Sequence, residues 1–198
     1  LRKILLGKTY EEETLNFIKK ECYKKNKKID ILHAGAFIGD FLPYLSKYIS
    51  KNNLVYAYEP INYHFEVSIL NININKLNNV KIYNQSLSDI NEKKYYKTKN
   101  KNYELGGASK ISNLKDYNEI GTSTTIDESI EEYKELGIIH LDIEGHENKA
   151  LLGGMQTINK FKPILILETP LDRLILKKLK KIGYSFSGKI LDNYIYRV

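Results

Sequence analysis

Alternation constrains this chain more than any other feature. Short apolar runs of strand length alternate with stretches whose apolar residues recur at helical spacing. The runs are DILHA (30–34), NLVYAYEP (53–60), VKIYN (80–84), GIIHLD (137–142) and KPILILET (162–169); YSFSGKI and NYIYRV close the chain around a turn at Leu191, Asp192 and Asn193. The spacing predicts helices over 10–28 (Leu15, Ile18, Cys22) and 41–50, where Pro43 sits in the first turn. Further helices are expected over 62–77 (Val67, Leu70, Ile74, Leu77), 126–136, HENKALLGGMQTINKF (146–161) and LDRLILKKLKKIG (171–183). KPILILET is nearly all apolar, as expected of a parallel strand covered on both faces. The expectation is an α/β fold: a mostly parallel seven-stranded sheet, helices on both faces, and a C-terminal antiparallel strand pair.

A chain of 198 residues suffices for one domain with its own core. Residues 1–198 are therefore read as a single domain, with 1–28 as an N-terminal helical segment. Between 86 and 125 the pattern fails. That segment is polar, contains GGAS (106–109), and reads as a long irregular insertion, which is more often functional than not. No apolar run approaches the roughly 20 residues that cross a bilayer. No secretory signal is visible and one cysteine, Cys22, allows no internal disulfide, so the expected compartment is the cytoplasm. The net charge of +7 gathers in KKECYKKNKK (19–28), KKYYKTKNK (93–101) and KKLKK (177–181). Such clusters attract nucleic acid or anionic glycan, or are simply solvated surface.

In open parallel sheets, ligands bind beyond the carboxyl ends of the strands. HAGAFIGDF (33–41) lies at such an end, and Gly35 and Gly39 would let a ligand approach the backbone. The GxGxxG spacing is absent. About 20 residues on, the second strand ends in Glu59, placed to accept both ribose hydroxyls of a nucleoside. Loop and acid together point to an adenosine-containing cofactor without separating NAD from S-adenosylmethionine. The fourth strand ends in Asp142, Glu144, His146 and Glu147. Glu144 and Glu147 also suit a helix N-terminus, where the dipole favours acids.

On these motifs the chain resembles the FkbM-type methyltransferases over roughly Ile31 to Pro170. HAGAFIG looks like the family's glycine loop, VYAYEP its second-strand motif, NQSLSD (84–89) the segment after strand three, and TTIDE (124–128) the sequence before its fourth unit. HLDIEGHENKALLGG followed by KPILILE is similar to its most specific signature. Two positions depart: the family's loop more often has Asp and Asn where this chain has His33 and Phe37.

The resemblance implies a Rossmann-like class I fold, S-adenosylmethionine as cofactor, and methylation of a hydroxyl on a sugar, polysaccharide or small metabolite. It implies cofactor contacts from His33, Gly35, Ala36, Phe37, Gly39, Glu59, Pro60, Ser86, Leu87 and Asp142. The insertion would shape the acceptor site. Methyl transfer needs a group that removes the acceptor proton, and the candidates are Asp142, Glu144 and His146, of which histidine has the most suitable intrinsic pKa. A metal site from Asp142, Glu144 and Glu168 is conceivable, but nothing in the sequence demands one, and none is expected. Lysines interleaved with Tyr95, Tyr96 and Tyr103 also suit nucleic acid, the less favoured partner. A non-catalytic cofactor-binding module is a third reading. Gly7-Lys8-Thr9 lacks the first glycine of a P-loop, and His146-Glu147 has Ala150 where a zinc-protease helix needs histidine.

Overall fold

The structure is a computed structural model that describes residues 11–100, 103–106, 109–112, 116–129 and 131–198. Residues 1–10 of the expected N-terminal helical segment, and Gly107 and Ala108 of GGAS, lie outside the described residues.

The elements run α1 (Glu12–Lys24), β1 (Asp30–Ala34), α2 (Leu42–Tyr48), β2 (Val55–Tyr58), α3 (Asn62–Ile74), β3 (Val80–Tyr83), β4 (Ser86–Leu87), β5 (Lys93–Lys97), β6 (Lys99–Asn100), β7 (Tyr103–Glu104), β8 (Lys110–Ser112), β9 (Glu119–Thr124), a 3-10 turn (Ile126–Ser129), β10 (Leu136–Leu141), α4 (Glu147–Leu152), α5 (Met155–Phe161), β11 (Ile164–Leu167), α6 (Arg173–Lys181), β12 (Ser185–Ile190) and β13 (Asn193–Arg197). Seven strands form the main sheet in the order β12-β13-β11-β10-β1-β2-β3. β3, β2, β1, β10 and β11 are parallel, and β13 runs antiparallel to both β11 and β12. This is the α/β architecture expected from the alternation.

Side chains of a strand alternate between faces. On β11, Leu165 and Leu167 enter the core beneath α4, α5 and α6, while Ile166 enters the other core beneath α1 and α2. Both faces are thus covered, which explains the uninterrupted apolar run. α1 buries Leu15, Ile18 and Cys22, the stripe its spacing predicts. At the other end of the sheet, Asp30 is fully buried and accepts from the Asn53 side chain and from backbone N–H groups of Leu54, Lys134 and Glu135.

Four expectations are corrected. The segment 86–125 is not irregular: β4, β9, β5 and β8 build a second, four-stranded sheet. Its alternation is disguised because Lys94, an inward position of β5, is buried with its ammonium on Glu92, beside the equally inward Tyr96. The stretch 146–161 is two helices, broken at Gly153–Gly154. A Cβ on Gly153 would lie 2.1 Å from the Ser88 carbonyl, and one on Gly154 would press on Ile126. The glycines are there for packing across to the insertion, so the helix pays with a break. The predicted helix over 126–136 shrinks to a single 3-10 turn before β10 begins at Leu136. Asn193, expected in the closing turn, begins β13.

α3 holds a fifth. Its apolar stripe does not face the core: Leu70 and Ile74 are 58% and 78% exposed. The buried face is polar instead. Ser68 donates to the Phe37 carbonyl, and Asn71 donates to the carbonyls of Ile38 and Gly39. Tethering the backbone of the glycine loop has overridden hydrophobic patterning here, because loop carbonyls without partners would cost more than two exposed side chains.

Candidate active site

The chain leaves β1 toward β2 on one side, and later enters β10 on the other. The crevice between β1 and β10 is therefore the switch point of the sheet, where such folds bind ligands. A cavity of about 470 Å³ opens there, within the roughly 300–1,000 Å³ range of small-molecule sites. Its wall brings together most of the residues singled out from the sequence: His33, Gly35, Phe37, Glu59, Pro60, Ser86, Leu87, Asp142, Glu144 and His146. Ala36 and Gly39 are not in the wall. Ala36 is buried under the loop among Phe41 and Leu42, and its N–H is spent on the Tyr58 carbonyl.

The glycine loop is held from three sides. Gly35 and Ala36 both donate to the Tyr58 carbonyl, joining the loop to the end of β2. Gly35 has a positive φ of 84°, and a Cβ there would meet the Asp142 carbonyl oxygen at 1.8 Å. Only glycine lets β1 and β10 close at this point. Glu59 accepts from the backbone N–H groups of Phe37 (2.8 Å) and Ile61 (2.9 Å), with His64 Nδ1 3.6 Å away. A carboxylate has about four acceptor sites. Two bonds leave capacity for a ligand's hydroxyls in the cavity that Glu59 lines.

His33 is buried rather than presented as a charge. Its ring stacks on His140 with centroids 4.9 Å apart, and the two Nδ1 atoms lie 3.0 Å from each other. Phe41 stacks beyond, 5.5 Å from His33. Burial, then the neighbouring His140, holds His33 well below the usual histidine range; burial brings His140 down to about 4. Both rings are neutral at pH 7, one donating through Nδ1 and the other accepting. Nothing in the local sequence announced His140 as a partner, because 107 residues separate the two and only the β1–β10 register aligns them.

After Leu141 the chain makes a left-handed double step, with φ of 54° at Glu144 and 86° at Gly145. A non-glycine residue in that region is strained, and strain of this kind is retained where the surroundings hold it. Glu147 is what holds it. Fully buried, it accepts from the N–H groups of Ile143 and Gly145 and from the Thr169 hydroxyl beyond β11. The acid that suits a helix N-terminus in the sequence is thus a clamp on the loop. Replacing Glu147 with alanine takes the acceptor from all three donors and leaves a cavity where the buried carboxylate stood. The expected loss is about 3 kcal/mol of stability, read as a lower denaturation midpoint at unchanged m.

Asp142 and Glu168 face one another from the ends of β10 and β11, and both line the cavity. Burial, then the Glu168 carboxyl, pushes Asp142 well above the usual carboxylate range. Glu168 Oε2 is buried with no hydrogen-bond partner. His146 lines the same wall. Burial, then Lys94 and Lys149, lowers it to about 4, against the opposing pull of Asp89 and Glu92. Among the described residues, no group of three or more His, Cys, Asp or Glu side chains is arranged to hold a metal ion. The second sheet supplies the opposite wall through Tyr96 and Ile111, with Tyr96 donating to Ser86 Oγ at 2.7 Å.

Residues 33–186 match the methyltransferase FkbM domain. The chain belongs to the FkbM methyltransferase family. Among solved structures it is similar to an FkbM methyltransferase from Methylobacillus flagellatus KT, at 17% identity and a TM-score of 0.58. That match covers 87% of this chain and 44% of the other, so the chain spans less than half the Methylobacillus protein's length. A methyltransferase from Geobacter sulfurreducens matches at 10% identity and a TM-score of 0.55, covering 94% and 79%. An O-methyltransferase from Bacillus cereus, in complex with SAH, matches at 12% and 0.51, covering 93% and 80%. These likenesses concern the fold. Comparison with curated proteins gives no match.

The family is one of methyltransferases, and S-adenosylmethionine is the cofactor that the resemblance implies. The chain's residues suit that cofactor: a loop that a single Cβ at Gly35 would disrupt, a strand-end acid with acceptor capacity, and Ser86 and Leu87 on the same wall. Among the described residues no helix is long and apolar enough to cross a membrane.

Proposed function

We propose that this FkbM methyltransferase transfers a methyl group to a hydroxyl of a sugar, polysaccharide or small metabolite. Gly35, Phe37, Glu59, Pro60, Ser86 and Leu87 would hold S-adenosylmethionine, with Ala36 and Gly39 shaping the loop from beneath and His33 backing the amino-acid end of the site. When bound, the cofactor supplies an electrophilic methyl on a sulfonium. The chain's own work is to align the acceptor oxygen and to remove its proton. The observation that carries the reading is the meeting of Asp142, Glu144 and His146 with the glycine loop in one cavity. Groups able to handle a proton would then lie beside the cofactor's reactive end. The second sheet closes the cavity from outside and is the part that would choose the acceptor, with residues 1–198 acting as one domain.

Calorimetric titration of S-adenosylmethionine and NAD into wild type, Glu59→Gln and Glu59→Ala tests the cofactor half. Binding of S-adenosylmethionine alone is expected, weakened about tenfold or more in Glu59→Ala. Equal binding of NAD, or an indifferent Glu59→Ala, would count against the assignment. Release of S-adenosylhomocysteine with a panel of mono- and oligosaccharides tests the acceptor half.

A further inference from the structure

Two bonds outside the cavity's own wall fix how His146 is presented to it. The Ser88 hydroxyl lies 3.0 Å from Asp89 Oδ1 and 3.1 Å from His146 Nε2. Ser88 is fully buried, and its backbone N–H is tied to the Thr124 carbonyl, so the hydroxyl cannot wander. It has one proton to give and two neighbours that accept. Asp89 is the stronger acceptor. Burial raises its carboxyl, but the Ser88 hydroxyl, its own amide, Lys149 and Lys94 outweigh that and leave it below its ordinary value. An ionised carboxylate takes the hydroxyl proton in preference to a neutral ring nitrogen. The Ser88 oxygen then offers a lone pair to Nε2, which must carry the ring's single proton. In a neutral imidazole the other nitrogen, Nδ1, is left as an acceptor.

We propose that Ser88 and Asp89 are positioning residues that hold His146 as the Nε2–H tautomer, so that Nδ1 is the proton acceptor of the methyl-transfer site. The assignment rests, for its acceptor, on the O-methylation reading above. It also separates His146 from Asp142. Asp142 is held in its protonated range between burial and Glu168, which suits it to donate a hydrogen bond rather than to take a proton. The acceptor O–H bond breaks and its proton passes to Nδ1; the oxygen's electron pair forms the O–CH3 bond, while the pair of the broken S–CH3 bond stays on sulfur. The imidazolium so formed donates through Nε2 to Ser88, whose hydroxyl donates on to Asp89. The chain of donors is already in place before the charge develops. The proton then leaves Nδ1 for water.

The test begins on the free protein. Long-range 1H–15N spectra of 15N-histidine-labelled wild type, with His146 assigned by its loss in His146→Gln, report which ring nitrogen is bare. Nδ1 is expected to be bare in wild type. Ser88→Ala is expected to mix the tautomers, and Ser88→Thr to restore the wild-type pattern. A proton on Nδ1 in wild type, or an unchanged tautomer in a folded Ser88→Ala, overturns the proposal. Turnover on the saccharide panel is the second arm. His146→Gln should lower kcat about 100-fold with S-adenosylmethionine affinity unchanged, and Ser88→Ala should lower it by less while moving the pH profile. Full activity in His146→Gln also overturns the proposal. A wild type that methylates no hydroxyl at all defeats the O-methylation reading instead, and the tautomer spectra still decide the role of Ser88 and Asp89.

Discussion

Gly35→Ala is expected to abolish S-adenosylmethionine binding and to destabilise the fold by about 3 kcal/mol or more. Two costs act together. The residue has a φ of 84°, which an L side chain rarely adopts, and its Cβ would stand 1.8 Å from the Asp142 carbonyl oxygen. That oxygen belongs to backbone at the end of β10, so no rotamer change relieves the clash. Relief requires β1 and β10 to part where the Asp142 N–H bonds to the Ala34 carbonyl. The same movement displaces both the glycine loop and Asp142, the two sides of the crevice. For a chain of this size the melting temperature should fall by roughly 6 °C or more. Calorimetry with S-adenosylmethionine on the folded variant should give no binding heat. A variant with wild-type melting and affinity would mean that the strand ends are looser than this geometry.

The second large effect carries opposite signs for stability and activity. Asp142→Asn is expected to be more stable than wild type at neutral pH and to transfer methyl groups about 100-fold more slowly. The sign follows from linkage. An unfolded Asp releases its proton near pH 3.9. In the folded chain burial and Glu168 raise that value, so above about pH 4 the native state binds the extra proton. Stability is therefore full below the unfolded value and is lost as pH rises toward the raised folded one. Asparagine neither titrates nor repels Glu168, so that slope should flatten. Activity falls because an amide is a weaker hydrogen-bond donor than the protonated carboxyl that lines the cavity between β1 and β10, and a preorganised donor in such a site contributes about 100-fold or more. Denaturant titrations of both proteins from pH 4 to 8, beside turnover at each pH, check the pair of effects. A parallel pH dependence would show that Asp142 is ionised in the folded chain, and the argument for its role as donor would go with it.

Much of this arrangement was legible in the sequence because it rests on local periods. Apolar runs of strand length alternating with helical spacing gave all seven strands of the main sheet, and a strand such as Ile164–Leu167 can hardly lie anywhere but between two helical layers. Gly35, Glu59 and Asp142 could be placed at one ligand site because each ends a strand, and parallel strands bring like ends together. The sheet within 86–125 escaped notice because a buried Lys94 broke the hydrophobic alternation of β5; its ammonium is satisfied by Glu92, a partner that hydrophobicity does not register. The polar inner face of α3 escaped for the same reason: buried Ser68 and half-buried Asn71 hold loop carbonyls, and Leu70 and Ile74 are left outside.

What the sequence alone determined, then, is the order of the seven main-sheet strands, the family, and the strand ends that meet at one cavity, all set by residues within a few positions of one another. Only the tertiary structure decided the pairings. His33 meets His140 through strand register, Asp142 meets Glu168 across adjacent strand ends, and Ser88 meets His146 from a different sheet. Glu147 changes from a helix-terminal acid to the clamp of a strained loop by reaching Thr169. Protonation states follow from those encounters, because desolvation and neighbouring charge act through space and not along the chain.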